Sequence, residues 1–436
     1  MTTGIESRLK RREVAIAPSV SYWLSQGLLL LLIFLFALQV FSPLRLNTDA
    51  VALLSIGDSA AHGGGFYSEQ GVFPPGYPAL LAVLMKAGLG HPWAIVGMNL
   101  VFLSVGLFAT YSLLIRDFFE NKTVVLIICS FFLLSFVVVK HFPIPLTDVP
   151  FFCCSMCCLA VMSQTTKTEW GWRFLILAVA AWSLALVAIM VRRVGVALVP
   201  PFIFMIVCSP HFKSLLKHLS RRTKLMILVV SVFVGVATLY VVAETSTLSD
   251  FMGRVKTSSA STLGLQILSY RLRELGELFV NFPTSKVPTE FHFMVPWIGL
   301  PLFLLTLFGV ATKRREINPT EVYFISYVAI LFAWPYFDAR FWLPVIPLLI
   351  TYSILAVRRL EPPTGVVAIY CIAFATLGLI AIAYTTRISF AGSTFPDKYG
   401  DGRLRPTYCA AFQSCERKWD AGKVDNRVLR LLRDYD

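Results

Sequence analysis

The sequence predicts an all-α polytopic membrane protein, and three observations carry that expectation. Of 436 residues, 56% are hydrophobic and only 15% charged, whereas soluble domains carry about 25% charged residues. Stretches 27–40, 124–139 and 366–383 hold no charge at all, and a helix of about 20 apolar residues spans the hydrocarbon core. Between such stretches the loops are short and alternately rich and poor in Lys and Arg.

Taken in order, the spans fall at 22–44, 93–115, 123–140, 148–164, 172–191, 194–209, 224–243, 292–312, 321–336, 342–357 and 365–385. The first follows Arg8, Lys10, Arg11 and Arg12 but is long and has no small-x-small cleavage site, which fits a retained anchor. The stretch 77–90 is too short to cross alone and reads as a re-entrant or interfacial helix. Residues 48–62 read as a helix after the first span. At 264–282, Leu265, Leu268, Leu272, Leu275 and Phe279 recur at helical spacing opposite Arg271, Arg273, Glu274 and Glu277. That pattern predicts a helix lying along the membrane surface with its polar face in water.

Orientation follows from the loops. With the N-terminus inside, Arg116, Lys122, Lys167, Arg173, Lys213, Lys217, Arg221, Arg222, Lys313, Arg314, Arg315, Arg358 and Arg359 fall on the inner side. The net charge of +14 is then mostly a topology signal, and nucleic acid is not an expected partner. The chain divides into a transmembrane domain over 1–385, with a first outer loop at 45–92 and a long one at 244–291, and an outer tail over 386–436. Cys153, Cys154, Cys157 and Cys158 lie on one apolar span with no acid or His beside them and read as packing. Cys409 and Cys415 fall in the outer tail, where a disulfide would persist.

The outer turns carry the chemistry. They hold Asp49, then Lys140, His141 and Asp148, then Arg192 and Arg193, and finally Asp338 and Arg340. Basic residues there oppose the positive-inside bias, so topology does not account for them, and ionisable groups at membrane depth mark sites. Asp49 and Asp58 are nine positions apart on one helix and so face opposite sides. Asp49, at the lip of the first span, is the one placed to enter a cavity, while helix capping is its plain alternative. Capping is also open to Thr147 or Asp148 before Pro150. Pro74-Pro75-Gly76 stiffens the chain and then turns it, either to launch the next helix or to hold the Asp49 helix over the bundle.

The order Asp49, Gly63-Gly64-Gly65-Phe66, Phe73-Pro74-Pro75-Gly76-Tyr77-Pro78, Thr147-Asp148-Val149-Pro150, Arg193-Val194-Gly195 and Arg340-Phe341-Trp342-Leu343-Pro344 resembles bacterial glycosyltransferases of the GT-C fold. These are relatives of protein O-mannosyltransferases and of the aminoarabinose transferase of lipid A. The landmarks run from about 49 to 350 in family order. The chain departs at 50–54, Ala-Val-Ala-Leu-Leu, where relatives often carry a Tyr.

The resemblance implies a GT-C type bundle that moves a sugar from a polyprenyl-phosphate donor to a lipid, glycan or protein acceptor, with inversion, on the outer face of a bacterial inner membrane. It implies Asp49 as general base with Asp148 as a second catalytic residue, a polar contact to the acceptor or a metal ligand. It further implies Lys140, His141, Arg192, Arg193, Arg340, Tyr77 and Arg271 as substrate-binding residues. A divalent metal is compatible with the pattern, but no residue set demands one. The competing reading is a flippase for lipid-linked sugars. A carrier more often places paired charges or broken helices near mid-membrane, whereas these charges gather at an edge.

Overall fold

The computed structural model describes residues 18–42, 45–66, 73–169, 171–208, 260–313, 316–334 and 336–390. The expected span at 224–243 and the pair Cys409 and Cys415 lie outside the described residues. Every regular element among the described residues is helical. In chain order they are α1 (Pro18–Leu38), α2 (Thr48–Ala61), α3 (Gly76–Lys86), α4 (Pro92–Asp117), α5 (Lys122–Leu134), α6 (Phe136–His141) and α7 (Asp148–Thr166). There follow α8 (Trp172–Val191), α9 (Val199–Cys208), α10 (Ala260–Val280), α11 (Val295–Thr312), α12 (Pro319–Ala333), α13 (Ile346–Leu360) and α14 (Thr364–Ser389). Among the described residues, seven helical stretches are long and apolar enough to cross a bilayer, and α3, α5, α12 and the stretch Arg193–Cys208 are shorter apolar helices. The protein is an integral membrane protein.

The expected span at 123–140 is not one helix. It breaks at Ser135, whose backbone is extended (φ −64°, ψ 126°), leaving α5 and the short α6. The break leaves backbone groups without helical partners inside the bundle, where an unmet polar group is costly. Asn281, just past the end of α10, meets them. Its side chain accepts from Phe136 N–H at 2.7 Å and donates to the carbonyls of Leu134 and Phe374, each at 3.0 Å. Asn281 itself holds a left-handed conformation (φ 59°), which Asn adopts more readily than most residues. One side chain therefore joins α5, α6, α10 and α14.

The helix at 264–282 exists, as α10, but its polar face is turned the other way. Arg271 and Glu274 are fully buried and Glu277 is buried, whereas Leu265 is 68% exposed. Only the start of the apolar stripe, Leu265 and Leu268, is exposed; Leu275 is buried like the charges, so the second half of the helix is enclosed on both faces. The apolar side packs closely on α11: a Cβ on Gly276 would lie 2.2 Å from the Val295 carbonyl oxygen, and one on Gly299 would lie 1.9 Å from that of Leu272. The buried charges are satisfied inside the protein rather than by water.

The rest of the fold fixes two ends. At one end, α1, α8 and α12 finish while α2, α7 and the 3₁₀ turn Ala339–Val345 begin. At the other, Asp117 ties α4 to α7 and α11: Lys167 Nζ lies 3.0 Å from its carboxylate, Ser163 Oγ donates to it at 2.8 Å, and Lys313 Nζ donates to its backbone carbonyl at 3.1 Å. The turns that carry Asp49, Asp148, Arg192 and Arg340 all belong to the first end.

Asn281→Ala removes three buried hydrogen bonds at a helix break and is expected to destabilise the fold by about 2–4 kcal/mol. Thermal unfolding in detergent checks this, and a loss below about 0.5 kcal/mol would show that the break is held by something else.

Candidate active site

Asp49 sits in the first turn of α2. The cap of that helix is Asn47, whose side chain accepts from Ala50 N–H at 2.8 Å. Capping is therefore not the work of Asp49, and its carboxylate is paired with Arg340. Asp58 lies on the far side of the helix beside the exposed His62, at 3.1 Å. The helical phase that separated the two acids holds, and His62 is engaged by Asp58.

Asp148 opens α7 and is buried, and the Thr147 side chain makes no cap hydrogen bond. The Asp148 carboxylate is paired with Arg192. Its loop is pinned by Asn99 on α4, which donates to the carbonyls of Phe142 at 2.9 Å and Ile144 at 3.1 Å. Asn99 is fully buried in an apolar helix, and those two carbonyls are the partners that make it tolerable there. Both carboxylates thus stand at helix N-termini, where the partial positive charge of the backbone favours an anion.

Arg192 caps the end of α8 in extended conformation. The chain then folds back at once, with Gly195 N–H donating to the Arg192 carbonyl at 2.8 Å. Any Cβ on Gly195 would lie 2.6–2.8 Å from the backbone of Ala188 and Ile189, so the Arg-x-Gly pattern records a close approach. Gly76 does the same from the other side: its Cβ would lie 2.6 Å from the Met190 carbonyl oxygen. The Pro-Pro-Gly turn thus seats α3 on the end of α8, two residues before Arg192. Gly57 lets α2 ride on α3, since a Cβ there would lie 2.8 Å from that of Leu81.

Arg340 is held from two sides. Besides Asp49, its Nε lies 2.9 Å from Asp338 Oδ2, and its backbone N–H donates to Asp338 Oδ1 at 3.0 Å. Burial opposes ionisation of Asp338, but Arg340, His141 and that backbone N–H outweigh it and hold its carboxyl below the usual range. The guanidinium groups of Arg192 and Arg340 both lie over the Phe341 ring, 5.4 and 5.5 Å from its centre. An aromatic face and three carboxylates offset two cations that would otherwise repel. Tyr327 steadies this turn by donating its hydroxyl to the Phe341 carbonyl at 2.6 Å.

These groups open on a cavity of about 550 Å³, a size suited to a small or lipid-linked ligand. Asp49, Asp148, Arg192, Arg193, Asp338 and Arg340 supply its charge. Tyr327, Trp334, Tyr336, Phe337 and Phe341 make an aromatic wall, and Leu53, Phe73, Pro74 and Leu146 are among the apolar residues that complete the lining.

Four of the expected binding residues lie elsewhere. Tyr77 is fully buried and does not line the cavity; burial first and the Asp148 charge second push its phenol pKa up. His141 is buried with Nδ1 at 2.8 Å from the Val137 carbonyl. Lys140 is exposed and does not line the cavity. Arg271 is fully buried and paired with Glu274 at 2.8 Å. Conversely, Asp338, which the sequence places among the charged outer turns without a role, lines the cavity, and the aromatic wall has no counterpart among the expected residues. A signal existed for Asp338, which stands two residues before Arg340 in the same turn. Among the described residues, no three His, Cys, Asp or Glu side chains come together as a metal site.

Fold and site together define a helical membrane protein with a charged, aromatic-walled cavity at one end of its bundle. Among solved structures, it is similar to the crystal structure of ArnT from Cupriavidus metallidurans bound to undecaprenyl phosphate. The identity is 15%, the alignment covers 89% of this chain and 80% of that one, and the TM-score is 0.47. No protein-family model and no curated protein matches the sequence.

Asp148→Asn leaves the Arg192 guanidinium without its carboxylate and is expected to destabilise the protein by about 2–4 kcal/mol. Asp148→Asn with Arg192→Gln should recover part of that loss. A double-mutant cycle on unfolding measures it, and a coupling below about 0.5 kcal/mol would mean that the pair contributes nothing.

Proposed function

We propose that the chain is a glycosyltransferase that moves a sugar from a polyprenyl-phosphate donor to an acceptor on the outer face of the membrane. The observation that carries this reading is the juxtaposition of two arginines with a helix-borne carboxylate at the mouth of an apolar cavity. The sequence landmarks of GT-C glycosyltransferases support it from a separate direction. Nucleotide sugars are cytosolic, whereas a lipid-linked donor is already activated and lies in the membrane.

The geometry is compatible with the following roles. Arg340 and Arg192, with Arg193 beside them, take the donor phosphate through charge-assisted hydrogen bonds. The prenyl chain leaves along the apolar wall. Arrival of the phosphate gives Arg340 a stronger partner and releases Asp49 from its ion pair. Asp49 then accepts the proton of the acceptor hydroxyl as that oxygen attacks the anomeric carbon. The bond from the anomeric carbon to the phosphate oxygen breaks, and the polyprenyl phosphate leaves with both bonding electrons. The arginines stabilise the charge that grows on it. Asp148 holds Arg192 in place and is a second polar contact for the acceptor.

Asp49→Asn, assayed in membranes supplied with labelled polyprenyl-phosphate sugars, should lower transfer by about 100-fold or more. Asp58→Asn on the opposite face of α2 should leave it within about twofold. Full activity of Asp49→Asn would remove the base. If labelled lipid crosses the bilayer but no glycosyl product forms from any donor, the protein is a carrier instead. The outer placement has its own check: a membrane-impermeant thiol reagent on intact cells should reach Cys409 and Cys415 only after reduction, and labelling solely from the cytosolic side would reverse the orientation.

A further inference from the structure

The cavity wall that carries Asp338, Arg340 and Phe341 lies between α12 and α13, where the described residues 334 and 336–338 belong to no helix and a 3₁₀ turn runs from Ala339 to Val345. Trp334 ends α12 in extended conformation, and Asp338 is extended too. Such a segment does not by itself hold a guanidinium to a fraction of an ångström. Support comes from behind, from α10. Glu274 Oε1 accepts the Asp338 backbone N–H at 2.7 Å, and Oε2 accepts the Trp342 indole N–H at 2.7 Å. Arg271 Nη1 lies 2.8 Å from the same Oε2, and Arg271 Nη2 donates to the Tyr336 carbonyl. One buried ion pair thus grips the wall at 336, 338 and 342, on both sides of Arg340.

Neither Arg271 nor Glu274 is exposed at all. A fully buried ion pair adds little to stability compared with apolar side chains of the same volume. Its worth lies in direction, because three hydrogen bonds from the pair to the wall define an orientation that apolar packing leaves loose. Arg273 adds to the grip from the next position, lying 4.8 Å over the Phe337 ring.

We propose that Glu274 is a positioning residue: from its buried place on α10 it holds the chain at 336–342 and so sets Arg340 and Asp338 at the cavity. The grip on the wall stands on geometry alone. Its effect on a lipid phosphate rests on the transferase reading above.

Two measurements on the full-length protein in detergent test the assignment separately. In the first, Glu274→Gln keeps the shape of the side chain but can accept only one of the two N–H groups. Hydrogen exchange of the backbone amides at 336–342 should quicken by about tenfold or more while those of α10 and α12 keep their protection. Unchanged exchange at 336–342 overturns the proposal. Should Glu274→Gln fold poorly, Arg271→Met with Glu274→Gln removes the stranded charge and is read in the same way.

In the second, undecaprenyl phosphate is the probe. Glu274→Gln should raise its Kd about tenfold in the wild-type background and less than about twofold with Arg340→Lys already present. Equal weakening in both backgrounds overturns action through Arg340. If the wild type does not bind undecaprenyl phosphate, the donor reading falls, and the exchange experiment alone decides the role of Glu274.

Discussion

A guanidinium cannot sit in an apolar cavity without a counter-charge, and much of this fold answers that requirement. Arg192 and Arg340 stand over a single aromatic ring at the edge of a membrane bundle. Each needs a carboxylate, and each carboxylate must come from a helix that begins at the same level. That places the N-termini of α2 and α7 beside the C-terminus of α8 and the turn before α13. The glycines at 57, 76 and 195 then become geometric necessities, because they are where the backbones carrying these charges touch. Burial sharpens the pairings and also makes them exchangeable, since an incoming phosphate presents the same arginines with a more highly charged acceptor.

The helices themselves were legible as runs of apolar residues, and most lie where the sequence put them. The break at Ser135 was not. A serine in an uninterrupted apolar run carries no local mark, and the side chain that stabilises the break, Asn281, stands 145 positions further along the chain. The orientation of α10 escaped for a related reason. A two-sided pattern of Leu against Arg and Glu states that one face is polar, but not whether that face meets water or a protein interior. What meets the charged face is the chain at 336–342, which brings partners to Arg271 and Glu274, and such a long-range contact has no single-sequence signature.

The site was legible where local geometry governs. Helical phase separated Asp49 from Asp58, and charge counting drew attention to Arg192, Arg193 and Arg340 because they defied the topological bias. Lys140, His141 and Tyr77 shared the turns or motifs of the site but not its cavity, since a residue one position along a helix points about 100° away, and Arg271 lies behind the wall on α10. Asp338 and the aromatic wall needed the tertiary fold: Tyr327 meets Phe341 only because α12 leads into the turn that carries it.

The two ion pairs also differ in how far apart their members lie along the chain. Asp148 and Arg192 are 44 residues apart, whereas Asp49 and Arg340 are separated by 291. During synthesis at about 5–20 residues per second, the first pair can close within seconds of its own emergence, but Asp49 waits roughly 15–60 s for its partner to be made. Throughout that interval the acid that opens α2 has no Arg340 to neutralise it, and a chain cut short before residue 340 never acquires it. A nascent or truncated chain therefore displays an uncompensated charge at the bundle's edge, a chemical mark that tells unfinished copies from finished ones.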